Sequence, residues 1–163
     1  MAVRLPEGDL GKRLDGYLEG FGNRHGLESG EVVGNAVKIT IRPGDIRSVL
    51  ATAREELGIL HLSFITVVDE KGSFRLVYEL LDLRGGVVKV ETRIEGEEPV
   101  IDSVVRVYPT ANWHEREAYD MFGVAFRGHP DLRRTYMWQD HFDHHPLLKE
   151  FEINTKRTFE GLR

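Results

Sequence analysis

The alternation of apolar and polar positions divides the chain into two regimes. In the first, Leu10, Leu14, Tyr17, Leu18 and Phe21 recur at helical spacing, which predicts an amphipathic helix over residues 8–21. The stretch "EVVGNAVKITIR" predicts two short strands around Gly34-Asn35, a dipeptide suited to a tight hairpin turn. Ile46, Val49, Leu50, Ala53 and Leu57 then fall on one face of a second helix, with Pro43 and Asp45 at its start and Gly58 at its stop. Three β-rich segments follow, "HLSFITVVDE", "SFRLVYELLDL" and "GVVKVETRIEG", separated by Lys71-Gly72 and Gly85-Gly86. In the last two, Phe74, Leu76, Tyr78, Val88, Val90 and Thr92 alternate in part with Arg75, Lys89, Glu91 and Arg93. That pattern predicts a sheet with one covered face and one wetter face. Helix, hairpin, helix and three-stranded meander together make an α+β fold, a two-layer domain over residues 1–98.

The second regime begins near Glu98-Pro99. Ser103 is placed to cap a short helix ending at Tyr108, Pro109 interrupts, and another helix runs to Phe122 before Gly123. Residues 99–126 therefore read as a helix pair. From Phe126 onward the chain has almost no period, yet it holds Phe, Tyr, Met, Trp and Leu. So long a structureless stretch is unusual in a compact domain, and disordered tails are poor in such residues. Residues 127–163 are expected to form an extended arm docked on a partner protein; the alternative is that they wrap back over their own sheet.

Composition narrows the chemistry. The chain has 163 residues, 40% of them hydrophobic and 30% charged, the profile of one soluble globular unit. Its net charge is −5 and its bases are dispersed apart from Arg133-Arg134, which argues against nucleic acid as a partner. The absence of cysteine removes disulfides, thiolate nucleophiles and cysteine-held metal or iron–sulfur sites. No apolar run approaches the roughly 20 residues that span a bilayer, so membrane association is expected only through partners. The opening "MAVRLPEGDL" also lacks the apolar core of a secretory leader.

The densest chemistry lies in "NWHEREAYDMFGVAFRGHPDLRR", residues 112–134. Asn112 followed by Glu115 has capping-box spacing, and Gly123 supplies a left-handed helix end. On a helical wheel Arg116, Glu117 and Asp120 share a side with Trp113, while Ala118, Tyr119, Met121 and Phe122 spread over the opposite half with His114 and Glu115. No wet stripe remains, so the helix is expected to be contacted all round, with Arg116 and Asp120 paired at i, i+4. An unpaired buried carboxylate is costly, which makes these charges bonded partners.

Catalytic readings fail on spacing. "HERE" lacks the second histidine of the zinc motif H-E-x-x-H, because position 118 is Ala118. Glu115 and Glu117 diverge on a helix and cannot face one substrate as a pair. "GDLGKR" lacks phosphate-loop spacing, and no dinucleotide fingerprint follows a strand. Asp140, His141, Asp143, His144 and His145 have the composition of a divalent-metal site, but capping and hydrogen bonding account for such loop residues more simply. A stand-alone metal enzyme built on that cluster is the distant alternative.

The same stretch resembles the signature of the thirty-kilodalton subunit family of respiratory complex I (NADH-quinone oxidoreductase). The residues that carry it are Glu115, Arg116, Glu117, Tyr119, Asp120, Phe122, Gly123, Gly128, His129, Pro130, Asp131, Leu132 and Arg133. The resemblance extends upstream through "LHLSFITVVD", "FRLVYELL" and "PVIDSVVRVYPTANW", and downstream to "HPLLKEFEI" with Pro146, Leu147 and Lys149. It covers about residues 59–153. One departure is Pro146-Leu147-Leu148-Lys149-Glu150, where the family has Pro-Leu-Arg-Lys-Asp. The resemblance implies a non-catalytic structural subunit of the peripheral arm of a complex I-like redox complex, which couples electron transfer to ion translocation. It also implies that the chain carries no cofactor and sits on the cytoplasmic side of the cell membrane. Its partners would be the large subunit that forms the quinone or nickel–iron site and the iron–sulfur subunits. Trp113, Arg116, Glu117, Asp120, Arg133 and Arg134 would then serve contacts between subunits or segments. NADH-quinone oxidoreductase is the simplest parent complex; membrane-bound nickel–iron hydrogenases and sulfur-reducing or deazaflavin-linked complexes contain related subunits.

Overall fold

The computed structural model describes residues 7–135 and 144–151, with the backbone alone over 7–11. Helix α1 (Glu7–Arg24) buries Leu14, Tyr17 and Phe21 at the predicted spacing. Each such burial contributes roughly 1.5–3 kcal/mol relative to exposure. Strands β1 (Ser29–Val33) and β2 (Ala36–Ile41) form the predicted antiparallel hairpin. Gly30 lets α1 approach the hairpin closely: a Cβ at that position would lie 2.5 Å from a terminal methyl of Leu18, which would have to move. A 3-10 turn over Pro43–Asp45 leads into α2 (Ile46–Glu55), which buries Ile46, Val49, Leu50 and Ala53. Strands β3 (His61–Asp69), β4 (Ser73–Leu81) and β5 (Val87–Glu95) pair antiparallel in sequence order.

The hairpin and the meander form one sheet of order β1-β2-β5-β4-β3. β5 runs parallel to β2, with Val37 opposite Val88 and Ile39 opposite Val90, so the last strand of the meander becomes the central one. Its position follows from its residues: Val88, Val90, Thr92 and Ile94 are all buried. The opposite face of the sheet is the wetter one. There Glu91 takes Lys38 at 3.4 Å and Arg75 at 3.5 Å, Lys89 takes Glu79 at 3.4 Å, and Glu70 takes Arg75 and Arg93. Tyr17 Oη donates to Asp82 Oδ2 at 2.7 Å while Arg84 Nε binds Asp82 Oδ1 at 3.1 Å, which ties α1 to the β4–β5 turn.

Beyond the sheet, β6 (Val100–Asp102), α3 (Ala111–Phe122) and β7 (Ala125–Arg127) make a second unit, with β6 and β7 parallel and α3 as the crossover. The expected helix from Ser103 to Tyr108 is a single turn, with the amides of Val107 and Tyr108 both on the Val104 carbonyl at 2.9 Å. The helix pair of the sequence reading is therefore one turn and one helix. The turn ends where Tyr108 must bury its ring and donate its hydroxyl to the Ile59 carbonyl at 2.6 Å. Ile101, Val104, Tyr108, Ala111, Ala118, Val124 and Phe126 join the same apolar cluster as the sheet residues. The cluster thus runs unbroken across the boundary expected near residue 98. Among the described residues no helix is long and apolar enough to cross a membrane.

Candidate functional site around helix α3

Helix α3 starts at Ala111, one residue before the expected cap Asn112. The amides of Ala111 and Asn112 are already bound by the carbonyls of Tyr108 and Pro109, so no side-chain cap is needed. The capping-box reading is thereby overturned, and Glu115 is released for another role. It is fully buried, and its Oε1 accepts the Val104 amide at 2.7 Å. Among the described residues its Oε2 has no hydrogen-bond partner, and neither has the buried hydroxyl of Tyr78. Burial pushes the Glu115 carboxyl up to about 7, against the lowering effect of its hydrogen bonds to Ser103 and Val104 and of Arg47. Burial likewise pushes Tyr78 well above the usual phenol range, with the Glu115 charge adding to it.

The pairing predicted along the helix does not form either. Asp120, also fully buried, accepts Arg134 Nε at 2.7 Å and the Thr135 amide at 2.9 Å. Arg134 reaches on to the His144 carbonyl at 2.8 Å. The partner fourteen residues away wins because a planar guanidinium and a backbone amide together satisfy both oxygens of a carboxylate that points inward. His145 Nδ1 donates to the Asp120 carbonyl at 2.9 Å, its ring centroid lies 6.3 Å from that of Tyr119, and the Leu147 amide binds the Met121 carbonyl at 3.1 Å. The Lys149 amide reaches Asp69 Oδ2 at 2.8 Å, at the end of β3. That bond, with a second from the Lys71 amide, holds the Asp69 carboxyl below the usual range.

The parts of the expected arm that are described, residues 127–135 and 144–151, thus lie on β6, α3 and the sheet of their own chain. Leu132 and Leu148 pack against the core, while Pro146 is half-buried and Leu147 is exposed. Asp140, His141 and Asp143 lie outside the described residues. His144 and His145 are engaged as above, and among the described residues no group of three ligands is placed to hold a metal.

Gly123 closes the helix at φ 79°, and its amide binds the Tyr119 carbonyl at 2.9 Å. A Cβ there would stand 2.8 Å from the His145 ring. Gly123→Ala therefore meets two penalties, a left-handed backbone worth roughly 1–2 kcal/mol and a displaced imidazole. Urea denaturation is expected to show at least the first, and amide exchange at Leu147 is expected to accelerate more than exchange in β4. Unchanged protection at Leu147 would refute the second.

The outward side of α3 is different. Trp113 is 55% exposed and Glu117 is exposed one turn later. The Arg116 guanidinium lies 5.0 Å from the Trp113 ring centroid, and Arg116 Nη1 stands 3.8 Å from Asp131. Asp131 also takes Arg133 Nε at 3.1 Å. The Asp131 amide donates to His129 Nδ1 at 3.0 Å, so His129 carries its proton on Nε2, 3.3 Å from the Asn112 carbonyl. Burial pushes His129 below the usual imidazole range. Gly128 turns the chain beside Arg47, and Pro130 is exposed. Phe122 packs against the core.

The family model described as "Respiratory-chain NADH dehydrogenase, 30 Kd subunit" matches residues 39–157, more than half of the chain. The chain belongs to that family. The corresponding NADH-quinone oxidoreductase subunit from Rhodopseudomonas palustris (strain TIE-1) is 36% identical over 151 residues, covering 88% of this chain and 70% of the relative. One from Rhizobium meliloti (strain 1021) is 47% identical over 96 residues, covering 56% of this chain and 52% of that one. Among solved structures, a trypsin-resistant fragment of Nqo5 superposes with a TM-score of 0.63 at 28% identity, over 74% of this chain and 99% of the fragment. A chain of an archaeal membrane-bound sulfane sulfur reductase shares the fold, with a TM-score of 0.75 at 23% identity over 94% and 93% of the two chains.

Within this family frame, sequence reasoning missed Tyr78, Ser103 and the amides of Val104, Thr135 and Lys149. None had a visible signal. A tyrosine in an alternating strand reads as core, and backbone amides leave no trace in composition.

Proposed function

We propose that the chain is a cofactor-free structural subunit of the peripheral arm of a complex I-like respiratory complex, docked through the outward side of α3. One observation carries the docking: the inward side of the helix is locked by bonds within the chain, whereas its outward side presents a half-exposed tryptophan and charged groups on a rigid element. Exposed aromatic side chains beside arginine are the usual anchors of protein interfaces. The partners in this reading are the large subunit that forms the quinone or nickel–iron site and its iron–sulfur neighbours, on the cytoplasmic side of the membrane. Donor, acceptor and pumped ion belong to those partners.

Affinity purification of the tagged full chain from its host tests the reading. The chain is expected to arrive with iron–sulfur-bearing subunits, and alone to bind neither flavin nor metal. Trp113→Ala is expected to cut recovery of the complex while leaving the melting temperature of the isolated chain nearly unchanged. A chain that purifies alone, with stoichiometric metal lost on changing His144 and His145, would sink the proposal in favour of a metal enzyme.

A further inference from the structure

Arg116 is 5% exposed, yet among the described residues it donates no hydrogen bond, and its Nε is buried without an acceptor. Its nearest carboxylate, Asp131, stands at 3.8 Å, is half-exposed, and is held by Arg133 at 3.1 Å. The contrast with Arg134 is direct, since that guanidinium has Asp120 at 2.7 Å and the His144 carbonyl at 2.8 Å. A guanidinium offers five donors, and withdrawing it from water without acceptors is unfavourable. The Trp113 face returns only about 0.5–2 kcal/mol and accepts no hydrogen bond in the plane of the guanidinium. Asn112, one turn earlier on the helix, also buries an Oδ1 without a partner. His129, neutral and with both ring nitrogens engaged, supplies no anion. The cluster is therefore an incomplete receptor, and the two side chains that frame it, Trp113 and Asp131, face solvent.

We propose that Arg116, framed by Trp113 and Asp131, receives a carboxylate side chain of the partner protein on which α3 docks. The inference rests on the docking reading above and names the chemistry of the partner at that site. A singly charged carboxylate suits the site better than a phosphate or another multivalent anion, because Asp131, 3.8 Å from Arg116, repels higher charge there. It also arrives on an apolar stem that packs on the Trp113 ring. A carboxylate bound by a desolvated arginine takes two parallel hydrogen bonds, which gives the contact orientation as well as strength.

The test uses the assembled complex. A water-soluble carbodiimide couples a lysine amine, but not a guanidinium, to a neighbouring carboxylate. The Arg116→Lys complex is expected to gain a cross-link from position 116 to an Asp or Glu of a neighbouring protein in the complex, mapped by mass spectrometry. The wild-type and Arg116→Gln complexes gain none. Recovery of the complex is expected to fall about tenfold with Arg116→Gln, because an interfacial carboxylate loses its partner, and much less with Arg116→Lys. Equal melting temperatures of the isolated variant chains exclude misfolding as the cause. A cross-link to Asp131 of the same chain alone, no cross-link at all, or wild-type recovery of Arg116→Gln would overturn the inference. If Trp113→Ala still blocks assembly in those cases, the docking reading survives without it. If the wild-type chain enters no complex, both fall.

Discussion

Asp120→Ala is expected to destabilise the isolated chain by about 3–5 kcal/mol, the cost of leaving one partner of a buried ion pair without the other. Asp120 has no exposed surface, and both of its oxygens are bound, one by Arg134 Nε at 2.7 Å and the other by the Thr135 amide at 2.9 Å. Removing the carboxylate takes the charge partner from a nearly buried guanidinium and the acceptor from a backbone donor together. It also frees the segment they anchor, because Arg134 holds the His144 carbonyl and His145 holds the Asp120 carbonyl. Urea denaturation measures the loss, and hydrogen exchange locates it. Amides at Thr135 and Leu147 are expected to lose protection before those of β4 and β5. Asp120→Asn keeps one acceptor and the shape, and is expected to recover part of the stability. A loss under about 1 kcal/mol, the range of exposed pairs, would mean that the pair is solvated and the segment independent of it.

What the sequence made legible follows a physical divide. Local periodicity located α1, α2 and the strands, because Leu14, Tyr17 and Phe21 or Leu76, Tyr78 and Leu80 repeat at the spacing of the face they bury. How the hairpin joins the meander was not legible. The meander pairing of β5 with β4 was expected, but the pairing of β5 with β2 depends on contacts some fifty residues apart, Val37 with Val88 among them, which no local pattern encodes. The turn from Val104 to Tyr108 failed as a helix because a tertiary bond, Tyr108 to the Ile59 carbonyl, sets its end.

For α3 the wheel described a helix contacted all round; Glu115, Arg116 and Asp120 are buried, but Trp113 and Glu117 on the same helix face solvent. The wheel could not assign their partners. A carboxylate at i+4 competes with every cation the fold brings near, and the winning cation for Asp120 came from the segment after β7. The Asn112 cap failed for the same reason in reverse, since the preceding turn had already satisfied the first amides. Glu117 reads as one more charge of the motif, yet it alone of the three acids on α3 faces solvent. Identity within a motif says little about which way a side chain points.

Glu115 adds a pH dependence of its own to the stability of the fold. Its carboxyl is buried, bound on one oxygen by the Val104 amide, without a partner among the described residues on the other, and pushed up to about 7 from an ordinary 4.5. The folded state therefore holds this proton more tightly than the unfolded chain does. Its contribution to stability is fully present below the unfolded value and is lost as pH rises to and through the folded one. Across that interval, from 4.5 to about 7, the loss amounts to roughly 3 kcal/mol at 1.36 kcal/mol per unit. His129 slopes the other way over part of the same window, because its depressed folded value makes stability rise with pH. The quantity to read is accordingly the difference between Glu115→Gln and wild type at each pH. The amide keeps an acceptor for Val104 but cannot ionise, so the variant is expected to gain on wild type by roughly 3 kcal/mol between the acid and alkaline ends of the window. Urea midpoints at a series of pH values, with equal m-values, give that difference directly. A flat difference would mean that Glu115 ionises in the fold as easily as in water, with a partner or solvent on the oxygen that the structure leaves bare.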